Sequence, residues 1–299
     1  MAVPPAPEQL GFEGMPRRLF QATPSRLGTF TSCPRRYRLT YLVRPAPPKG
    51  PPWAHNSLGA AVHNALRDWW LLPPGRRSPA AAGALLDTAW IADGFADPDQ
   101  SARWRVRARG WVEAYVAALD PADEPAGVER GVAARTERLA LSGRVDRIDV
   151  RGDQLVVVDY KTGRSVPGTD DARGSLALAV YALATARTLR RPCSRVELHH
   201  LPTGRVAAWE HTEASLARHV GRAGHTADDI LAAGGALEAG ADPDAAFPPV
   251  TGRQCGWCDY RRHCPEGRAA AADREPWSGL AGEEPALVDP GLDVVAEGG

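Results

Sequence analysis

Gly143-Arg144-Val145-Asp146-Arg147-Ile148-Asp149, a Gly152-Asp153 turn, and Gln154-Leu155-Val156-Val157-Val158-Asp159-Tyr160-Lys161 carry the decisive signal in this 299-residue chain. The apolar run 155–158 bounded by turn residues predicts a buried strand, and the preceding alternation predicts its antiparallel neighbour. Asp146 and Asp159 then fall on adjacent strands, with Lys161 beside the second. Only two of the 36 basic residues are lysines, Lys49 and Lys161. Where arginine is so favoured, a lysine in this position supplies a compact ammonium with movable donors, suited to a reacting water or phosphate. Two carboxylates and a lysine at strand ends point to metal-dependent phosphodiester chemistry.

Working outward, Val128–Thr136 and Arg138–Val150 complete a three-stranded meander with Gln154–Tyr160, and Glu129 on the first strand is a further acidic candidate. A helix from about Gly174 to Leu189, strands at Arg195–Leu201 and Arg205–His211, and a long helix Glu213–Glu238 follow. Upstream, Ser25 is an expected N-cap for short helical pieces around Cys33-Pro34. Helical periodicity resumes at Ser57–Trp70, Ala80–Asp93 and Ala102–Leu119. The expected organisation is a flexible arm over 1–22, one domain over 23–268 with a helical insertion at about 71–125, and a disordered acidic tail over 269–299.

The composition, 43 % hydrophobic and 24 % charged, fits a globular protein with a substantial core. No stretch approaches the ~20 apolar residues of a membrane span, and the start lacks a secretory pattern, so a cytoplasmic protein with no membrane partner is expected. Formal net charge is zero, yet the stretch from Met15 to Lys49 carries eight basic residues and no acidic one, which suits either contact with a phosphate backbone or a solvated basic face.

Five cysteines in a reducing compartment favour metal binding over disulfides. Cys255-x-x-Cys258-x5-Cys264 supplies three thiolates; Cys33, in a matching Cys-Pro context, is a better fourth than His263, which adjoins Cys264. Four cysteines suit a [4Fe–4S] cluster, with zinc as the alternative. Cys193 reads as a core residue.

Together, Leu58-Gly59-x-x-Val62-His63, Gly143-x-x-Asp146, Asp159-Tyr160-Lys161 and the split cysteine set resemble the RecB-type branch of the PD-(D/E)XK nuclease superfamily, and within it the AddB-like iron–sulfur members. The resemblance runs from Ser25 to Gly267. It implies a restriction-endonuclease-like α/β core: a central mixed sheet flanked by helices, with an N-terminal helical segment and a C-terminal iron–sulfur clasp. It implies that His63, Asp146, Asp159 and the main-chain carbonyl of Tyr160 hold Mg²⁺ or Mn²⁺, and that Lys161 is catalytic. The substrate would be DNA, cut as an exonuclease on single strands or ends, in repair or recombination. A helicase or recombination protein is an expected partner, since the chain has no phosphate-binding loop of its own. Arg26, Arg35, Arg36, Arg38 and Tyr181 are candidate nucleic-acid contacts. Relatives carry Gln four residues before that Tyr, where this chain has Ala177. The rival expectation is a non-catalytic DNA-binding accessory module of a helicase–nuclease complex.

Overall fold

Residues 19–281 are described by a computed structural model, and regular structure begins inside the stretch expected to be a flexible arm. Phe20–Ala22 form a short strand, β1. The remainder of that arm, and the tail beyond residue 281, lie outside the described residues. Helix α1 (Pro24–Ser32) is capped by Thr23 rather than Ser25: its hydroxyl accepts the Arg26 N–H at 3.1 Å. Helix α2 is Pro34–Tyr41. Both open on proline, whose missing N–H is harmless in a first turn.

Three helices follow, α3 (Ala54–Trp70), α4 (Pro79–Ala89) and α5 (Pro98–Ala117). On α3 the buried Leu58, Ala61, Val62, Ala65, Leu66 and Trp69 recur at three- and four-residue steps, the single apolar stripe of an amphipathic helix. Helix α5 starts four residues before its expected Ala102, because Asp97 accepts the Gln100 N–H at 2.6 Å and Pro98 occupies the first turn.

The meander is β2 (Gly127–Arg135), β3 (Leu139–Arg151) and β4 (Gln154–Lys161). The helix expected from Gly174 is two pieces, α6 (Thr169–Gly174) and α7 (Leu176–Leu189), separated where Ser175 leaves the helical conformation and caps Leu178. Then come β5 (Arg195–His200), β6 (Arg205–Glu210), α8 (Glu213–Glu238), the single turn α9 (Pro243–Ala246) and α10 (Pro265–Ala270).

The expected mixed sheet is present, and β3 is its hub. One edge of β3 pairs antiparallel with β2 along most of its length. On the path β1-β3-β4, β1 runs parallel to Leu139–Leu141 and β4 antiparallel to Arg147–Arg151. The ladder to both leaves 142–146 between them, so Asp146 stands where the strand's pairing changes. Strand β5 is parallel to β4, which requires the crossover that α6 and α7 provide, and β6 closes the sheet antiparallel to β5.

The chain divides into two compact units. The first takes residues up to Pro47, then Ala122–Lys161 and Ser165–Thr251, and so contains the whole sheet with α1, α2 and α6 to α9. Its core includes Leu141, Ile148, Leu155, Val157 and Val196 of the strands with Leu178 and Ala182 of α7. Each valine, leucine and isoleucine among them contributes about 1.5–3 kcal/mol when fully buried. The second unit takes Pro48–Pro121, Thr162–Arg164 and residues from Gly252 onward. Its three long helices pack on one another, and Ala54, Leu58 and Trp104 form a small core with Leu280. Leu280 falls in the stretch expected to be a disordered tail, yet it is 7 % exposed.

Candidate metal-binding and catalytic site

Alternation along β4 sets the site. Val156 and Val158 face one way with Tyr160, whereas Asp159 and Lys161 share the other face. The Lys161 ammonium meets Asp159 Oδ2 at 2.5 Å. The register that pairs Arg147 with Val158 brings Asp146 opposite Asp159. The Tyr160 N–H donates to Asp146 Oδ2 at 2.9 Å, so the backbone carrying one carboxylate orients the other. Tyr160 turns its ring to the far face, where its hydroxyl lies 3.3 Å from Arg147, leaving its main chain beside the acids.

Glu129 joins this group through an irregularity. The ladder pairs Val128 with Arg147 and Arg130 with Val145 but skips Glu129, whose φ of 46° is left-handed. A non-glycine residue held there within a strand carries backbone strain, which structures concentrate at functional positions. Its carboxylate comes within 4.8 Å of that of Asp146 and is bridged by Arg144 at 3.6 Å. The side chains of Asp159 and Glu129 are 18 % and 20 % exposed, dry enough for charge to act strongly and open enough to admit a small ion. Clustered hard oxygen donors fit Mg²⁺ or Mn²⁺.

Tyr181 on α7 adds a neutral donor. Burial pushes its phenol up to about 12, and Asp159, Asp146 and Glu129 add to the shift, so it stays protonated at any physiological pH. Its ring rests on Gly143, where a Cβ would come within 2.3 Å of Cε1. A glycine inside a strand pattern is the sequence signal of such a close approach. Ala177, one turn earlier on α7, offers only a methyl group at the position where relatives carry Gln.

The other expected residues are distributed as follows. His63 lies half-buried on α3 of the second unit. The Arg26 guanidinium lies over the rings of Phe20, Tyr37 and Tyr41 and donates to the Tyr37 hydroxyl at 2.8 Å. Arg35 is 4 % exposed and pairs with Asp244 at 3.2 Å, as Arg38 does at 2.8 Å. These three arginines brace the α1–α2 region; Arg36 is half-buried on α2.

None of the five cysteines is in a disulfide. In the second unit, Cys255, Cys258 and Cys264 lie on the turns leading into α10. The Gly267 N–H points at Cys264 Sγ at 3.3 Å, and a Cβ on Gly267 would touch both that sulfur and Cys255 Sγ, at 3.3 and 3.6 Å. A backbone N–H aimed at sulfur is a contact that stabilises a thiolate ligand. His263 bonds the Pro48 carbonyl at 2.9 Å. Cys33 belongs to the first unit, where the Val250 N–H approaches its sulfur at 3.5 Å. Cys193 is buried in the first core, as expected. No helix among the described residues is long and apolar enough to cross a membrane.

The chain matches the family model of the PD-(D/E)XK nuclease superfamily over residues 21–265. Among solved structures it is similar to a candidate exonuclease from Eubacterium rectale, at 11 % identity and a TM-score of 0.46, over 81 % of this chain and 87 % of that one. It is also similar to a protein named SSO0001, at 15 % identity and a TM-score of 0.36, over 85 % and 90 % of the two chains. No curated protein sequence matches it. The family match covers most of the chain and includes β3 and β4 with Asp146, Asp159 and Lys161, and on that match the chain belongs to the PD-(D/E)XK nuclease superfamily.

Proposed function

We propose that this protein is a metal-dependent DNA nuclease whose hydrolytic centre is built on Asp146, Asp159 and Lys161, with Glu129 as an additional carboxylate. The observation that carries the reading is the approach of Glu129 to within 4.8 Å of Asp146 on the sheet face that also bears Asp159 and the single lysine of β4. A bound Mg²⁺ or Mn²⁺ supplies Lewis acidity toward the scissile phosphate and an acidified water. Asp146 and Asp159 hold that cation; by family resemblance His63 and the Tyr160 carbonyl are further ligands. Lys161, kept in place by Asp159, orients the attacking water and balances charge on the phosphate. Tyr181 donates a hydrogen bond to an anionic oxygen without itself ionising.

The finer reading follows the family resemblance: exonucleolytic attack on single-stranded or end-containing DNA in repair or recombination, beside a helicase partner, in the cytoplasm. The second unit's three cysteines, with Cys33 as the fourth by resemblance, are read as ligands of a [4Fe–4S] cluster, zinc being the alternative. Ala177 favours a second reading, an accessory DNA-binding module without cleavage. Anaerobically purified protein incubated with Mg²⁺ or Mn²⁺ and end-labelled single- and double-stranded DNA decides between them. Cleavage that Lys161→Ala abolishes supports the nuclease; binding without cleavage supports the module.

A further inference from the structure

The second unit holds a pocket of about 500 Å³ that the catalytic reading does not use. Four arginines line it: Arg261, Arg262, Arg268 and Arg274. Of its three acids, Asp273 pairs with Arg261 at 3.1 Å, while Asp259 accepts the neutral Trp53 indole N–H at 3.2 Å and keeps its charge, so Asp259 and Glu275 stand against three exposed guanidinium groups and the lining is net cationic. Arg262 and Arg268 have no acidic partner among the described residues. Arg274 is different: its guanidinium lies over the Trp257 ring at 4.8 Å. Trp257 is itself braced by Trp53 and His55, with ring centroids 4.9 and 5.6 Å away. Gly256 lets Arg274 lie flat, since a Cβ there would approach its Nε within 3.2 Å.

A guanidinium plane stacked on an indole, with exposed arginines beside it, has the form of a nucleotide subsite: a base stacks on the plane and the flanking phosphates meet the exposed charges. We propose that this pocket binds single-stranded nucleic acid, taking a base on the Arg274–Trp257 stack and adjacent phosphates on Arg262 and Arg268. The proposal rests on the nuclease reading only for the polymer's identity, and its test measures binding, not cleavage.

Anisotropy of a fluorescein-labelled 15-residue oligothymidylate with the full-length protein, without added divalent cation, provides that test. The double variant Arg262→Ala/Arg268→Ala should bind about tenfold or more weakly at ~100 mM salt, with a salt slope shallower by about 1.4, from ~0.7 per single-strand phosphate contact. Arg262→Lys/Arg268→Lys should keep the wild-type slope. Arg274→Lys should weaken oligothymidylate at least about fivefold, as loss of one stacked base does, while leaving an abasic probe of equal length unaffected. An unchanged slope in the double alanine variant overturns the phosphate contacts. An equal loss on both probes with Arg274→Lys overturns the stacked base. A chain that never cleaves DNA leaves these outcomes as informative as before.

Discussion

Strands β3, β4 and β5 carry an acid–base cluster on each face, and the two are built in opposite ways. On the far face every carboxylate is flanked by two guanidinium groups: Asp149 by Arg147 at 2.7 Å and Arg151 at 3.4 Å, and Glu197 by Arg151 at 2.6 Å and Arg195 at 2.7 Å, with the His199 ring at 2.9 Å. On the near face the carboxylates of Glu129 and Asp146 adjoin within 4.8 Å with Asp159 opposite, and only one cation stands by each of two of them, Lys161 by Asp159 and Arg144 by Glu129. Alternating charge neutralises itself and serves the fold. Crowded carboxylates repel one another, and a cation that binds there removes that repulsion. Adjacent residues such as Asp146 and Arg147 thus take different roles because a strand turns successive side chains to opposite faces.

If that contrast is correct, the near face governs rate and the far face governs stability. Asp146→Ala and Lys161→Ala should each lower cleavage about 10²–10³-fold or more with little change in unfolding free energy, read by end-labelled DNA assays and urea titration. Comparable loss from Asp149→Ala would erase the distinction. Next in size, Glu197→Ala should cost about 1–3 kcal/mol in urea unfolding, because it leaves the buried His199 ring without its partner and removes the acceptor that the half-exposed Arg151 and Arg195 share, while cleavage by the folded protein stays within a few-fold. Burial raises the Glu197 pKa, but the bonds from His199, Arg151 and Arg195 outweigh it and hold the group well below the usual carboxylate range.

A pH series sharpens the contrast further. Burial lowers His211 to about 4, with His219 adding to the effect. The unfolded chain therefore binds the proton more readily, so His211 stabilises fully above pH 6.5 and loses its contribution between 6.5 and 4. That loss reaches about 3 kcal/mol at ~1.4 kcal/mol per unit, and His211→Gln should flatten the urea-unfolding free energy across that window. The smallest expected effect is at Tyr181→Phe, a decrease in cleavage of about tenfold from one lost hydrogen bond, with no shift in the rate profile below pH 9 since the phenol never ionises there.

The site was legible where chemistry and periodicity coincide. Leu155 to Lys161 announces both a buried strand and the carboxylate and lysine at its end, and Thr212 followed by Glu213 marks the start of α8 at the expected residue, with Thr212 capping Ser215. Strand β1 was not legible, because three residues, Phe-Gln-Ala, show no periodicity and acquire their conformation from pairing with Leu139–Leu141. Nor was the left-handed turn at Glu129, since glutamate gives no hint of positive φ. The engagement of Arg26 and Arg35 was equally hidden. Charge is visible in a sequence, whereas Tyr37, Tyr41 and Asp244 become their neighbours only on folding.

Leu280 closing on Ala54, Leu58 and Trp104 has a consequence for how the molecule comes into being. Both units draw on stretches separated along the chain, so no cut at one peptide bond releases either of them whole. A ribosome that has delivered α3 to α5 must still translate more than a hundred residues before the segment that seals those helices emerges, and a gene shortened at residue 250 would leave that small core without its last side chain.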